Sequence, residues 1–470
     1  MNISTVIKSL VEQPDRGYVL VAGLGVSGAA IVRFLRSKNL EVRATDTRPL
    51  GPDVTLPLEA MGVRCETGGH KVETFERAAL IVTSPGIPLD MEYFKRARAK
   101  GVLVTGELDL FSFFNKKTLV AITGTNGKTT VTTLVSEMLE KSGLSVFTGG
   151  NIGTPLVEFL ESGQEQDVVV AEVSSFQLDA ATVFSPSVAV LLNLAEDHLD
   201  RYPDFSAYAD SKWSIFRSLS ERGFAVVNQN LEIPSGLEGL TRTNTLIFGT
   251  NENSNADISS RTIEIKIPGE DFTLDLSATR LRGAHNRDNI AAAALAAVLA
   301  GGNKVGIQEA LNDFSPLVHR TEFVAIIHGV EYYNDSKGTN PHAVEGALQG
   351  FDRVILILGG RSKDTNFSSL LPVILQRVKA VVVMGEAAPK IKADLCGAPG
   401  ADPASGSCSG VRIFDAVSMV DALEVAAGLA VTGDTVLLSP GCSSFDMYEN
   451  YGQRGDDFKA RVMALKGEDL

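Results

Sequence analysis

The feature that most constrains this chain is a glycine-rich loop, TGTNGKTT at residues 123–130, which follows an apolar run and precedes a segment with helical apolar spacing. Backbone N–H groups of such a loop cradle phosphates, Lys128 neutralises the β- and γ-phosphate charge, and Thr129 reaches Mg²⁺. The loop departs from the standard P-loop, because Ile122 stands where a glycine is expected, five residues before Gly127. The order of strand, loop and helix still predicts an ATP site.

Strands alternate with amphipathic helices along three stretches of the chain, a pattern typical of parallel α/β layers. The third stretch begins near His319 with a predicted hairpin, EFVAIIHGVEYYN. A chain of 470 residues is too long for one hydrophobic core. We therefore expect an α/β protein of three domains: a Rossmann-like domain at 1–107, a P-loop domain with a parallel sheet at 108–316, and a second Rossmann-like domain at 317–470.

The charge and the apolar runs narrow the classes of partner. The formal net charge is −14 and the chain has no Lys/Arg-rich run, which argues against nucleic acid or an anionic membrane as a partner. The longest apolar run, Ile290–Ala300, is far shorter than the ~20 residues that span a bilayer. The N-terminal segment lacks the apolar region of a signal peptide. The four cysteines form no CxxC pair, so we expect neither a disulfide framework nor a zinc site, and we expect a cytoplasmic protein.

A second glycine-rich turn, GLGVSG at residues 23–28, also lies between a predicted strand and a predicted helix, and Asp46 follows at the tip of the next strand. Glycines at such a turn permit close approach of a diphosphate, and the helix N-terminus favours an anion. The usual interpretation is NAD, with Asp46 on a ribose. A sugar nucleotide could use the same geometry, and tight packing without a ligand is a third interpretation.

Two polar strand tips follow the ATP loop. One predicted strand ends at Glu172, and another ends before the segment AEDHLD at 195–200. In a parallel sheet, these carboxyl ends lie on the same edge as the loop, where metal ligands are needed for phosphoryl transfer. A solvated carboxylate is the alternative interpretation for each tip.

Lys212 falls on the apolar stripe of a helix predicted from about Asp204 to Ser218, where Phe205, Tyr208 and Phe216 also lie. Lysine is rarely buried without a partner, so one interpretation is a side chain whose amine reaches water. If the amine is buried, desolvation lowers its pKa and leaves a neutral, reactive group.

Several segments together resemble the Mur ligases of peptidoglycan synthesis. Within the central region these are TGTNGKTT, EVSSFQL, NLAEDHLDRY and RGAHNRDNIAAAALAA. The remaining segments resemble the member of that family that joins D-glutamate to UDP-N-acetylmuramoyl-L-alanine. They are GLGVSG, TSPGIP at 83–88, NDSKGTN at 334–340, LGGRSKDTNF at 358–367 and LLSPGCSSFDMYENYGQRG at 437–455.

The resemblance implies that the N-terminal domain holds the UDP of the muramoyl substrate instead of NAD. The implied contacts are Val26, Ser27, Asp46, Thr47, Arg48, Ser84, Pro85 and Gly86.

For the ATP site, the resemblance implies contacts from Gly124, Thr125, Asn126, Gly127, Lys128, Thr129, Thr130, Asn286, Asn289, Arg320 and Asp335. N-capping of the Ala-rich helix is a second interpretation of Asn286 and Asn289. The implied metal set is Thr129, Glu172, His198 and Lys212, with Lys212 carbamylated so that it holds one of two Mg²⁺ ions.

The implied D-glutamate contacts are Lys337, Thr339, Lys363, Ser444 and Tyr451, and Tyr451 departs from the phenylalanine familiar at that place in the family. The implied catalytic residues are Lys128, Asn151, His198, Lys212 and Lys337.

The resemblance implies an ATP-dependent amide ligase of cell wall biogenesis, and hence of cell shape and cell division. The muramoyl substrate's carboxylate would attack ATP's γ-phosphate, and the amine of D-glutamate would displace phosphate from the acyl phosphate through a tetrahedral intermediate. ADP and phosphate would leave, and a monomer is expected. The rivals are a nicotinamide dehydrogenase, a P-loop ATPase or kinase that makes no amide, folylpolyglutamate synthase, and another Mur ligase.

Overall fold

The computed structural model describes residues 3–237, 240, 244–252, 254–281, 283–363, 365–396, 407, 408 and 410–467. Three α/β domains, each with its own sheet, form the fold. By spatial proximity, the chain falls into two compact units. The first contains Met1–Asn193, Ala209–Ala278 and Asp288–Asn312, and the second contains Leu194–Tyr208, Thr279–Arg287 and Asp313–Leu470.

The N-terminal sheet of the first unit has five parallel strands in the order β3-β2-β1-β4-β5. Its central strands carry the apolar runs that a sheet covered on both faces requires, and β1 is buried along its whole length. The elements are α1 (Ile3–Glu12), β1 (Val19–Ala22), α2 (Val26–Ser37), β2 (Val42–Asp46), α3 (Pro52–Ala60), β3 (Arg64–Thr67), α4 (Val72–Glu76), β4 (Leu80–Thr83), α5 (Glu92–Ala99) and β5 (Leu103–Gly106).

The central sheet has nine strands in the order β14-β13-β12-β11-β10-β9-β6-β8-β7. It is parallel from β7 to β12. At the other edge, β13 pairs antiparallel with both β12 and β14. The elements are α6 (Glu107–Phe114), β6 (Thr118–Thr123), α7 (Lys128–Lys141), β7 (Val146–Gly150), α8 (Leu156–Glu161), β8 (Val168–Glu172), α9 (Ser175–Asp179), β9 (Val188–Leu191), α10 (Phe205–Trp213), β10 (Phe224–Asn228), β11 (Thr245–Gly249), β12 (Ala256–Ile258), β13 (Thr262–Ile267), β14 (Glu270–Asp275), α11 (Ala284–Leu299) and α12 (Lys304–Asp313).

The C-terminal sheet belongs to the second unit and has the order β15-β16-β21-β17-β18-β20-β19. The predicted hairpin is confirmed, because β15 pairs antiparallel with β16. Residues of β17 alternate between two apolar cores, one on each face of the sheet, as the strand period of two requires. The elements are β15 (Glu322–Ile327), β16 (Val330–Asn334), α13 (Pro341–Leu348), β17 (Val354–Gly359), α14 (Leu371–Arg377), β18 (Val378–Met384), α15 (Ala388–Cys396), β19 (Ser407–Cys408), β20 (Val411–Ala416), α16 (Met419–Leu429), β21 (Thr435–Leu438) and α17 (Tyr451–Gly467).

The structure adds a feature of the cysteines that the sequence did not predict. Cys396, at the end of α15, is disulfide-bonded, whereas Cys65 and Cys442 are free thiols. Spacing alone did not reveal the bond, because a single pair has no motif. Most of the Gly/Ala/Pro/Ser-rich loop between Cys396 and Gly410, together with Arg282 and Asp364 of the quoted motifs, lies outside the described residues. Within the described part of the chain, no helix has the length and apolar character needed to cross a bilayer.

Candidate functional site

The ATP loop joins the end of β6 to the start of α7, as predicted. Gly127 has φ +85°, in the left-handed region, and a Cβ there would approach the Asn289 side chain to 2.4 Å. Only glycine therefore fits this position without strain and with Asn289 so close. The Lys128 ammonium donates to the carbonyl oxygens of Gly124 and Thr125, each at 2.8 Å. The Lys128 side chain thus folds back over the loop, and its ammonium bonds to the loop's own carbonyl oxygens.

Asn193 shapes the same loop from the neighbouring strand end. Its backbone oxygen accepts from the Thr125 N–H at 3.0 Å, and its side-chain oxygen accepts from the Asn126 N–H at 2.9 Å. The side-chain amide of Asn193 donates to the Asn126 carbonyl oxygen at 3.1 Å. Sequence reasoning assigned Asn193 no role, although it opens the quoted segment NLAEDHLDRY.

Glu172 lies at the centre of the site in the first unit. One of its carboxylate oxygens accepts from the Thr129 hydroxyl at 2.7 Å, and the other accepts from the Asn151 amide at 2.8 Å. The Asn151 backbone N–H also donates to the Glu172 carbonyl at 2.8 Å. Glu172 is 2% exposed, so the solvated-carboxylate interpretation of this strand tip is wrong. The structure thus brings together Thr129, Asn151 and Glu172, which belong to three different segments of the chain.

Lys212 is also 2% exposed, in the last turn of α10. Its amine therefore does not reach bulk water, and the interpretation of a surface-seeking lysine is wrong. The preceding Ser211 donates to the Ser175 carbonyl at 3.0 Å, which fixes α10 against the start of α9. Ser174 caps α9 in a reciprocal pair with Gln177.

Asn289 is 6% exposed and lies beside the ATP loop, whereas Asn286 is half-buried. The helix α11 begins at Ala284, so neither residue is its N-cap. The interpretation of either residue as the N-cap is therefore wrong.

The predicted UDP contacts surround the carboxyl ends of β1, β2 and β4, which are neighbours in the N-terminal sheet. The Asp46 carboxylate accepts from the Leu24 N–H at 2.9 Å and from the Arg48 guanidinium at 2.9 and 3.0 Å. The hydrogen bonds from Arg48 lead the effects that lower the pKa of Asp46 to about 2. Asp46 is thus a fixed anion.

The turn below Asp46 is tightly packed. A Cβ on Gly28 would meet the Gly23 carbonyl oxygen at 1.8 Å, so no side chain fits there. The Ser84 hydroxyl donates to the same carbonyl at 2.8 Å and links the ends of β1 and β4. Val26, Ser27, Thr47, Pro85 and Gly86 lie around this turn and are exposed or half-buried, so a ligand can reach them.

In the second unit, the buried Asp335 accepts from the Ser439 hydroxyl at 2.7 Å and from the Thr321 N–H at 3.1 Å. Burial raises the pKa of Asp335 to about 6, and the positive charge of Arg320 opposes that rise. These two predicted nucleotide contacts therefore interact with each other.

The predicted D-glutamate contacts lie in three segments that follow strands of the C-terminal sheet. The Lys337 ammonium lies 3.7 Å from the centre of the Tyr451 ring, a cation–π geometry. Lys363 forms an ion pair of 2.8 Å with Asp197, whose other oxygen accepts from Asn340 at 3.2 Å. Ser444 is 2% exposed, and Thr339 is half-buried.

His198 follows Asp197 with φ +55°, an uncommon conformation for a residue other than glycine. The Asp197 carboxylate accepts from the His198 N–H at 2.9 Å and so stabilises this turn. Asp197 appears in the quoted segment, but no spacing rule indicated its ion pair with a residue 166 positions away.

Arg454 is another residue to which the sequence analysis assigned no role. It is 2% exposed, and its guanidinium donates to the Ser336 hydroxyl and to the backbone carbonyls of Ser336 and Cys442 at 2.8–3.1 Å. Longer bonds reach the carbonyls of Gly359 and Ser443. Arg454 therefore joins the three loops that carry Lys337, Lys363 and Ser444.

Comparison with known proteins gives matches along nearly the whole chain. Three family models match: the MurD-like N-terminal domain of Mur ligases at residues 17–106, the Mur ligase middle domain at 122–297, and the Mur ligase glutamate ligase domain at 319–442.

Two curated relatives carry the name UDP-N-acetylmuramoylalanine–D-glutamate ligase. The protein from Desulfosudis oleivorans is 45% identical over 96% of this chain and 97% of its own, and that from Geotalea daltonii is 39% identical over 96% and 98%. Two solved structures share the fold. MurF from Acinetobacter baumannii has a TM-score of 0.62 at 15% identity, with 96% of this chain and 98% of that chain covered. MurF from Thermotoga maritima has a TM-score of 0.59 at 19% identity, with 97% of each chain covered.

Proposed function

The chain belongs to the Mur ligase family, and we propose that it joins D-glutamate to UDP-N-acetylmuramoyl-L-alanine with consumption of ATP. The observation that carries the proposal is the similarity, over almost the full length of both chains, to ligases named for this reaction. The ATP loop, with Thr129 and Asn151 on the buried Glu172, supplies a site suited to the first step. We retain the domains 1–107, 108–316 and 317–470 as part of the proposal.

The first step is attack of the L-alanine carboxylate on the γ-phosphorus of ATP, which breaks the bond to the β-phosphate oxygen and releases ADP. Negative charge accumulates on the transferring oxygens, so fixed cations beside them lower the barrier. In our proposal Lys128 provides one such cation, together with backbone N–H groups of residues 124–130.

Magnesium fits the chemistry of the residues beside the loop. A buried carboxylate with a neighbouring hydroxyl and amide is a set of oxygen donors that Mg²⁺ prefers. We assign Thr129, Glu172 and His198 to metal binding, and a carbamate on Lys212 to a second ion. Magnesium would supply charge neutralisation at the phosphates. A carbamate forms when the neutral amine of Lys212 adds to CO₂ and loses a proton, and burial favours the neutral amine.

The second step is attack of the D-glutamate amine on the acyl carbon, through a tetrahedral intermediate that expels phosphate. We assign Lys337 and Lys363 to the anionic groups of D-glutamate, and Thr339, Ser444 and Tyr451 to its orientation. Asn151 contacts the reacting centre, and Asn286, Asn289, Arg320 and Asp335 contact the nucleotide. The amine must lose a proton, and no residue is assigned as its base.

The UDP group occupies the N-terminal turn in this proposal. The helix α2 begins at Val26, after Gly23 and Gly25 of the turn, so its first N–H groups face a diphosphate. The anionic Asp46 suits a ribose hydroxyl. The substrates are small molecules, and ATP is a cytoplasmic metabolite, so we propose a cytoplasmic monomer without nucleic-acid or membrane partners.

A product assay tests the proposal. The protein is incubated with ATP, Mg²⁺, UDP-N-acetylmuramoyl-L-alanine and a panel of amino acids, and the products are identified by mass. We expect an amide with D-glutamate and none with L-glutamate. With ¹⁸O in the substrate carboxylate, one label should appear in the released phosphate. Amide formation without transfer of label would overturn the acyl-phosphate step, and ATP hydrolysis without any amide would favour the P-loop ATPase rival.

A further inference from the structure

Glu107 is a buried carboxyl group that the proposed mechanism does not use. It is 2% exposed at the start of α6, in the segment that follows the last strand of the N-terminal sheet. Its Oε2 atom is buried and has no hydrogen bond of normal length among the residues that the structure describes. Burial of a carboxyl group in this way costs folding free energy unless its remaining hydrogen bonds compensate.

The Oε1 atom of Glu107 accepts from the backbone N–H of Val157 at 3.2 Å, and the Leu156 N–H also stabilises the charged form. These are the first two N–H groups of α8, which have no partner within the helix. The residue before α8 is Pro155, whose side chain cannot cap it. Glu107 therefore acts as the N-terminal cap of α8 from a different element.

The loop that α8 follows carries Asn151. It closes on itself through the Gly150 N–H, which donates to the Thr154 carbonyl at 2.9 Å. A Cβ on Gly150 would meet the Glu172 carbonyl oxygen at 2.4 Å, so the loop packs directly on the end of β8. A displaced α8 would therefore displace the loop and, with it, the amide of Asn151.

We propose that Glu107 is a positioning residue, which caps α8 and thereby holds residues 150–155 so that Asn151 stays bonded to Glu172. The inference rests on the proposed function, in which Glu172 binds Mg²⁺. Gln177 supports the same arrangement. Its side chain approaches the Glu107 carboxyl, and its side-chain oxygen accepts from the Ser174 backbone N–H at 3.0 Å. Glu107 thus connects to the residues that follow both β7 and β8.

The charges around Glu107 are few. Burial is the main cause that raises its pKa to about 7, and Glu158 on α8 adds to the rise. Glu158 is itself paired with Arg33 of α2 at 3.0 Å. Asp109, two residues along α6, makes a separate set of bonds to Thr182 and Val183 and serves as a control.

The test compares Glu107→Leu, which removes the acceptor, with Glu107→Gln, which keeps one. Metal binding is measured by the EPR signal of Mn²⁺ with a non-hydrolysable ATP analogue, and amide exchange of residues 150–160 is measured by mass. We expect Glu107→Leu to weaken Mn²⁺ binding about tenfold and to speed the exchange, with KM for D-glutamate unchanged. Glu107→Gln and Asp109→Asn should stay within about twofold of the wild type.

Unchanged Mn²⁺ binding in a folded Glu107→Leu protein would overturn the inference, as would an equal loss in Glu107→Gln. If Glu107→Leu does not fold, Gln177→Leu replaces it, and unchanged Mn²⁺ binding in that variant would also count against the inference. Amide exchange does not depend on the reaction. If the wild type makes no amide but Glu107→Leu still exchanges faster at residues 150–160, the proposed function fails while the positioning role stands.

Discussion

The Lys363 ammonium lies 2.8 Å from the Asp197 carboxylate, and both side chains are largely buried. An ammonium has three N–H donors, and Asp197 accepts one of them. Among the residues that the structure describes, no other group accepts from this ammonium, so two donors can serve an anion, while the ion pair restricts the rotamer of the lysine. Lys363 is thus held ready for a carboxylate in the site that we assign to D-glutamate.

Substitution Lys363→Met should raise KM for D-glutamate about 10- to 100-fold, because a charge-assisted hydrogen bond is lost. KM for ATP should stay near its wild-type value. Steady-state kinetics with each substrate varied in turn gives the measurement. Lys390→Met is the matched control, since Lys390 forms a partly buried ion pair of the same length with Asp394, outside the assigned site. An equal rise in both KM values would argue against the assignment.

Substitution Glu172→Gln should lower kcat/KM by about 100-fold or more, because the carboxylate that accepts from Thr129 and Asn151 loses its charge. The Mg²⁺ concentration for half-maximal activity should rise as well. Phosphate release is measured across a Mg²⁺ titration, with the exposed Glu165→Gln as control. A Glu172→Gln enzyme with a normal Mg²⁺ requirement would exclude Glu172 as a ligand.

A carbamate on Lys212 should make activity depend on bicarbonate at fixed pH. Native mass spectrometry should detect added CO₂ in the wild type and none in Lys212→Met, which should also lose Mg²⁺-dependent activity. Lys304→Met in α12 is the control for loss of a lysine elsewhere in the chain. Full activity of the wild type after removal of CO₂, with no added mass, would contradict the carbamate.

Asp46→Asn should raise KM for the UDP substrate without a change in KM for ATP or D-glutamate. The pKa of Asp46 is about 2, so the wild-type residue is ionised at every pH used for the assay, and this effect should not vary between pH 6 and about 9. The exposed Asp53→Asn, in the same domain, is the control. A pH-dependent difference between the two variants would indicate another role for Asp46.

Glu107 should make the protein less stable as the pH rises. Burial raises its pKa from 4.5 to about 7, so the folded chain keeps a proton that the unfolded chain releases between these values. The free energy of unfolding then falls from about pH 4.5 to about pH 7 and remains low above that. Glu107→Gln should remove this dependence and stabilise the protein at pH 8 by up to about 3 kcal/mol. Urea unfolding at pH 5 and at pH 8 measures the difference, and a Glu107→Gln protein no more stable than wild type at pH 8 would contradict it.

Much of the site could be predicted because it depends on local order along the chain. The glycines at residues 123–130, with a strand before them and a helix after them, predict the phosphate loop. The place of Glu172 at a strand end predicts that residue. The amide of Asn151 and the hydroxyl of Thr129 then meet Glu172, because β7 and β6 both flank β8 in the sheet. The disulfide of Cys396 and the role of Asn193 gave no comparable signal.

By itself, the sequence determined the class of fold, the three sheets and the phosphate loop, because apolar periodicity and glycine-rich turns act over a few residues. Only the tertiary structure decided how Lys363 meets Asp197, how Arg454 joins three loops, and how Glu107 caps a helix 50 residues away. Burial and pairing of charged groups depend on which distant segments come together, and that is a property of packing.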